Sequence, residues 1–126
     1  MSGTTVICDR YAYSGVAFTA SKGLDVEWCK NPDRGLPKPD AVLYLDLSIE
    51  EACKRGGFGN EIYEKEDTQR VVKNLYETQL WDDSYWHRVS ADTTPELLHE
   101  NLRELAVKIA SSVGSSEPGL LWTDKL

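Results

Sequence analysis

Thr4-Thr5-Val6-Ile7-Cys8-Asp9-Arg10 is the stretch whose reading decides the fold. Its β-branched side chains suit a pleated surface, and an unbroken apolar run of this length marks a strand covered on both faces. Thr4–Cys8 is therefore expected to be a buried parallel strand, with Cys8 a small buried hydrophobe. Asp9 and Arg10 then fall at its carboxyl end, where open α/β sheets place ligands. Working outward, Ala12 to Lys22 is expected to form a helix through Val16, Ala17 and Ala20, stopped by Gly23, and Leu24 to Lys30 a second, short one. Asn31 to Asp40 holds three prolines and one glycine and reads as loop. Ala41-Val42-Leu43-Tyr44-Leu45 is the second buried strand.

Ser48-Ile49-Glu50-Glu51 has the spacing of a capping box, so a helix should start there and run toward Lys54. Gly56-Gly57-Phe58-Gly59 ends it. From Thr68, the apolar positions Val71, Val72, Leu75, Tyr76 and Leu80 recur in steps of three and four, predicting an amphipathic helix to about Trp81. Trp81-Asp82-Asp83 reads as a helix end with a solvated acidic turn. Trp86 to Ala91 is a third strand. Thr94-Pro95 supplies an N-cap and a first-turn proline to a helix striped by Leu98, Leu102, Leu105 and Ile109 and ending near Gly114. The closing Leu120-Leu121-Trp122 is expected to dock on the body. Strands alternating with helices predict an α/β protein with a parallel sheet and flanking helices.

The 126 residues are a single domain's length. Twenty-one acidic against 14 basic side chains give a formal charge of −7, which opposes binding to nucleic acid. The longest apolar stretch falls far short of the roughly 20 residues of a membrane helix, so no membrane partner is expected. Cys8, Cys29 and Cys53 lie far apart, and His87 and His99 have no cysteine near them; neither set has the spacing of a metal centre. Reduced thiols fit a cytoplasmic location.

Asp9 after an apolar strand is placed to meet a Mg²⁺ ion or its water; equally, many strands end in Asp because it forms turns. Arg10 beside it offers a planar fork to two phosphate oxygens, or a surface ion pair.

A longer pattern gives these residues context. Asp9-Arg10-Tyr11-Ala12-Tyr13-Ser14-Gly15-Val16-Ala17-Phe18-Thr19, Trp28-Cys29-Lys30, Gly35-Leu36-Pro37-Lys38-Pro39-Asp40 and the segment from Lys54 through Tyr63-Glu64 to Gln69 resemble thymidylate kinase of the eukaryotic kind. The resemblance implies the parallel sheet of P-loop nucleoside monophosphate kinases, with Mg²⁺ as cofactor, ATP and deoxythymidine monophosphate (dTMP) as substrates, and a homodimer for the full-length family. It implies that Asp9 sits near the Mg²⁺, through water, and that Arg10 holds the monophosphate. Ser14, Gly15 and Phe18 would line the thymidine pocket, and Arg55 would lie on the adenine side. Tyr63 would close on the deoxyribose and Gln69 would reach the nucleotide. The chain departs from the family at Ile62, where a basic residue is often found.

No G-x-x-x-x-G-K-[ST] loop occurs in these residues, and Gly56-Gly57-Phe58-Gly59 does not replace it, because no Lys-Ser or Lys-Thr follows. The resemblance thus implies a kinase domain truncated at its amino terminus: one partial domain over 1–126, with a lid at about 56–66 and a flexible tail at about 111–119. In the full-length form the activity would be transfer of a phosphoryl group from ATP to dTMP, for dTDP and dTTP synthesis. By itself the chain would be inactive. The alternative is a non-catalytic isoform or fragment that binds a full-length partner. The expected compartment is the cytoplasm, with nucleus and mitochondrion left open.

Overall fold

The structure, a computed structural model, describes residues 4–56, 62–114 and 118–123; side chains are described except at 53–56 and 62–66. The chain forms two compact units. A helical unit comprises Asp9–Arg34 and Leu47–Trp81, and a sheet unit comprises Met1–Cys8, Gly35–Asp46 and Asp82–Leu126. No helix among the described residues is long and apolar enough to cross a membrane.

In the helical unit, α1 spans Tyr11–Ala20 and buries Ala12, Tyr13, Val16, Ala17 and Ala20. Small side chains on this face let neighbouring helices approach closely, and Ala17 is fully buried (0% exposed). Gly23 closes the helix at φ 94°, its N–H donating to the Ala20 carbonyl at 3.0 Å, a conformation that costs glycine nothing. In α2, Val26–Lys30, the Asp25 carboxylate accepts from the Trp28 N–H at 2.9 Å, a short-range N-cap. A 3₁₀ turn over Asn31–Asp33 follows. The capping residue of α3, Ile49–Gly56, is Ser48, whose hydroxyl accepts from the Glu51 N–H at 3.2 Å as the sequence predicts. Next, α4 spans Ile62–Leu75 and passes into a π-turn over Tyr76–Leu80. This helix begins before the predicted Thr68, because Glu64, Lys65 and Glu66 are straight-chain residues that lose little freedom in a helix. Helix α1 packs against α2, α4 and the π-turn, and α3 against α4. The α3–α4 contact carries an Arg70–Glu50 ion pair at 3.1 Å, and Lys73 Nζ donates to the Leu47 carbonyl at 3.1 Å.

The sheet unit holds a two-stranded parallel sheet. Strand β1, Val42–Asp46, pairs with β2, Trp86–Ser90, in register from Val42 opposite Trp86 to Asp46 opposite Ser90. An Arg88–Asp46 ion pair at 3.0 Å joins the strand ends, and the Arg88 guanidinium lies 5.5 Å from the Tyr44 ring centroid. Asp82 closes the acidic turn by accepting from the Ser84 N–H and hydroxyl at 2.9 and 2.6 Å. The last helix, α5, spans Pro95–Ser112 with Thr94 as its N-cap, yet none of its residues is fully buried. The closing segment docks as expected. Leu121 is 1% exposed, and antiparallel bonds link Leu121 to Leu36 and Gly35, and Gly119 to Lys38, at 2.8–2.9 Å. Gly35 makes this turn at φ 89°.

Two expectations fail. Ala41–Leu45 forms a strand as expected but not a buried one: none of its residues is fully buried and Leu45 is 48% exposed, because a two-stranded sheet of the described residues leaves it without full cover. Thr4–Cys8 is irregular chain, with Val6 and Ile7 exposed at 79% and 90% and Cys8 also exposed. A strand's backbone groups must be paired by a neighbour, and the sheet of the described residues contains only β1 and β2. Outside the ladder, the run keeps its side chains exposed. Asp9 and Arg10 accordingly form a bend leading into α1 instead of capping a strand.

Candidate functional site

The expected site residues with described side chains all fall in the helical unit, and α1 organises them. Arg10 has φ 73° and ψ −35°, and Tyr11 has φ 43°. Two successive side-chain-bearing residues on the left-handed side of backbone space cost about 1–3 kcal/mol each, and such strain concentrates where geometry serves a ligand. The bend leads directly into the first turn of α1. Ser14 and Phe18, four residues apart, share one face of α1. The Arg10 guanidinium lies 5.9 Å from the Phe18 ring centroid, within cation–π range.

Tyr76 is the first residue of the π-turn that packs on α1. Burial pushes its ionisation above the usual tyrosine range, while the Arg10 charge and a Ser14 hydrogen bond pull it back. The periodicity of the sequence had marked Tyr76 only as part of an apolar stripe. The π-turn itself left no signal in residue spacing.

Gly15, one position round α1 from Ser14, is exposed, and a Cβ there would meet nothing within 4 Å. The space in front of it is an open cavity of about 620 Å³ whose walls include Thr19, Trp28, Cys29 and Asp33. Trp28 is 60% exposed, a large apolar surface at this cavity that had been given no role from the sequence.

The remaining expected residues are placed less closely. Asp9 is exposed beside Arg10. Gln69 is half-buried on α4, the helix packed on α1. Arg55 lies in the last turn of α3 and Tyr63 in the first turn of α4, with side chains outside those described. The centre of the expected lid, residues 57–61, also lies outside the described residues. No group of three or more His, Cys, Asp or Glu is gathered as a metal site among the described residues. A single exposed carboxylate nevertheless suits Mg²⁺, which keeps several waters and takes much of its shell from substrate phosphates.

Arg10 presents its guanidinium beside the Phe18 ring at the head of α1, the helix that carries Ser14. The family model for thymidylate kinase matches residues 1–102. The chain is 44% identical to thymidylate kinase of Arabidopsis thaliana over 97% of its own length and 46% of the relative's. It is 41% identical to that of Homo sapiens over 95% of its length and 58% of the relative's. The structure of thymidylate kinase from Candida albicans superposes with a TM-score of 0.66 at 29% identity, covering 89% of this chain and 59% of that one. The chain thus spans about half the length of the curated relatives it matches. With the α/β fold, the Arg10 bend and these likenesses in agreement, the chain belongs to the thymidylate kinase family.

Proposed function

We propose that this chain supplies the acceptor side of a dTMP kinase site, in which an oxygen of the dTMP phosphate takes the γ-phosphoryl group of ATP to give dTDP and ADP. The bend at Arg10 carries this reading, since it sets a guanidinium fork at the head of α1, 5.9 Å from the Phe18 ring and one turn before Ser14. The fork holds two oxygens of the monophosphate, a geometry a lysine cannot reproduce. Phe18 and the open space at Gly15 receive the thymine ring, and Ser14 offers it a hydroxyl. Gln69 reaches the nucleotide from α4, Tyr63 closes on the deoxyribose and disfavours a 2′-hydroxyl, and Arg55 lies toward the adenine. Asp9 would hold Mg²⁺ through water, and that ion supplies charge neutralisation across the phosphates.

These 126 residues contain no glycine–lysine phosphate loop, so the donor side must come from sequence outside them. Two assays test this. The chain alone, given ATP, Mg²⁺ and dTMP, should show only background turnover; robust turnover would overturn the division of labour. A chimera joining the amino-terminal half of the human relative to this chain should phosphorylate dTMP, and Arg10→Ala should lower its kcat about 10²–10³-fold, the scale for losing a transition-state donor. A folded chimera without turnover, or one indifferent to Arg10→Ala, refutes the assignment.

A further inference from the structure

We propose that the 3₁₀ turn Asn31–Asp33 reads the edge of the base held in the cavity at Gly15. The Asn31 amide donates to the 4-carbonyl of thymine, the Asp33 carboxylate accepts from the adjacent N3–H, and Arg34 is the positioning residue that fixes the amide. The inference rests on the functional reading of Arg10 and adds to it the residues that choose the base. Asn31 and Asp33 both line the cavity of about 620 Å³, beside Trp28 and Gly15. Arg34 Nε donates to Asn31 Oδ1 at 2.8 Å, and the Arg34 N–H donates to the Asn31 carbonyl at 3.3 Å. A terminal guanidinium nitrogen donates to the Glu27 carbonyl at 3.2 Å and lies 3.5 Å from the Glu27 carboxylate, so the fork is anchored to α2. A guanidinium only donates, so the end of the amide that it meets is the oxygen, and the NH₂ end keeps its donors for a ligand.

Distance along α1 explains why a base meets this turn. At 1.5 Å per residue, the cavity residues Gly15 and Thr19 stand roughly 7 and 13 Å along the helix from Arg10. A nucleotide anchored at Arg10 by its phosphate therefore brings its base, and not its sugar, into the cavity, where the exposed Trp28 ring offers an apolar wall. The edge of thymine opposite the sugar carries a carbonyl and an N–H side by side. A donor from Asn31 and an acceptor from Asp33, both in one turn, match that pair. Cytosine reverses it, with an amino group at position 4 and a bare N3, so donor would face donor and acceptor would face acceptor. A site built to hydrogen-bond one pattern rejects the reversed one far more strongly than an apolar pocket rejects a methyl group.

The test compares two probes by calorimetry on the full chain: dTMP, and 5-methyl-deoxycytidine monophosphate, which keeps the methyl group, sugar and phosphate and reverses the base edge. The parent chain should bind dTMP about tenfold more tightly or better. Asn31→Ala and Asp33→Asn should each cut that preference about three- to tenfold, the worth of one net hydrogen bond, by weakening dTMP. Arg34→Lys keeps a charge beside Glu27 but loses the fork, and should narrow the preference as Asn31→Ala does. A preference untouched by Asn31→Ala or Asp33→Asn refutes the base reading, and so does an equal loss for both probes, which would mark the residue as packing only. An untouched preference in Arg34→Lys refutes the positioning role. Failure of the functional reading looks different: the parent chain binds neither probe, or Arg10→Ala leaves dTMP affinity unchanged, and the inference falls with it. A parent chain that needs Arg10 for dTMP yet binds both probes equally keeps the functional reading and refutes this inference alone.

Discussion

The helical unit and the sheet unit meet the same requirement, paired backbone groups and covered apolar surface, in different ways. Helices α1 to α4 satisfy most of their own backbone and need only neighbours for their apolar faces, which they find in one another around Val16, Ala17, Val72 and Leu80. Strands β1 and β2 pair with each other and with nothing further among the described residues, so β1 is nowhere fully buried. The difference teaches that local hydrogen bonding lets one region of this chain close while the other stays half open. It also accounts for where the site residues stand: they sit on the region whose geometry needs no additional strand.

Matched truncations break or sharpen that contrast. Leu80→Ala in the helical unit should lower unfolding free energy by about 2–5 kcal/mol in a denaturant titration. Leu121→Ala should cost a similar amount, because Leu121 is the most buried large side chain of the sheet unit; a loss below about 1 kcal/mol would mean that unit has no core of its own. Leu105→Ala on α5 should cost less than either, since its side chain already meets solvent. A smaller effect comes from Thr94→Ala, which strips the N-cap of α5 and should cost about 1 kcal/mol, with Thr94→Ser recovering most of it.

Asp82 provides a test by pH. The Ser84 hydroxyl and N–H hold its carboxyl below the ordinary carboxylate range. A lowered folded value means the turn's contribution is present above the unfolded value and is lost as pH falls through the folded one. In an NMR titration Ser84→Ala should raise the Asp82 midpoint; an unchanged midpoint removes the hydroxyl as its cause. The smallest effect on stability belongs to Val6→Lys combined with Ile7→Lys. Both side chains already face solvent, so the thermal midpoint should not move, while self-association measured by sedimentation should fall, because charge discourages pairing of exposed apolar segments. A large drop in the midpoint would show that Thr4–Cys8 is held by packing after all.

Elements governed by neighbouring residues were legible. Ser48 and Thr94 bond to N–H groups three positions on, Gly23 stops α1, and the prolines of 31–40 exclude a long helix, so each could be read locally. Trp86–Ser90 was readable as a strand, and it finds its partner in β1. Thr4–Cys8 carried the same kind of signal and failed, because pattern states what a segment can do and pairing decides whether it does. Within the site, Asp9, Arg10, Ser14, Gly15 and Phe18 lie within ten consecutive residues, and a resemblance over so short a span is visible in sequence. The π-turn of Tyr76–Leu80 lies more than fifty positions away and meets α1 only through helix packing.

The amino-acid sequence by itself determined most of the helices, the Ser48 and Thr94 caps and the proline-rich loop over 31–40, because each follows from interactions within a few residues. Tertiary structure alone decided that β1 pairs with β2 while Thr4–Cys8 stays uncovered, that Arg10 and Tyr11 enter α1 with positive φ, and that the π-turn of Tyr76–Leu80 packs on α1. Those outcomes depend on which distant segments supply backbone partners and apolar cover, a condition no local stretch of residues contains.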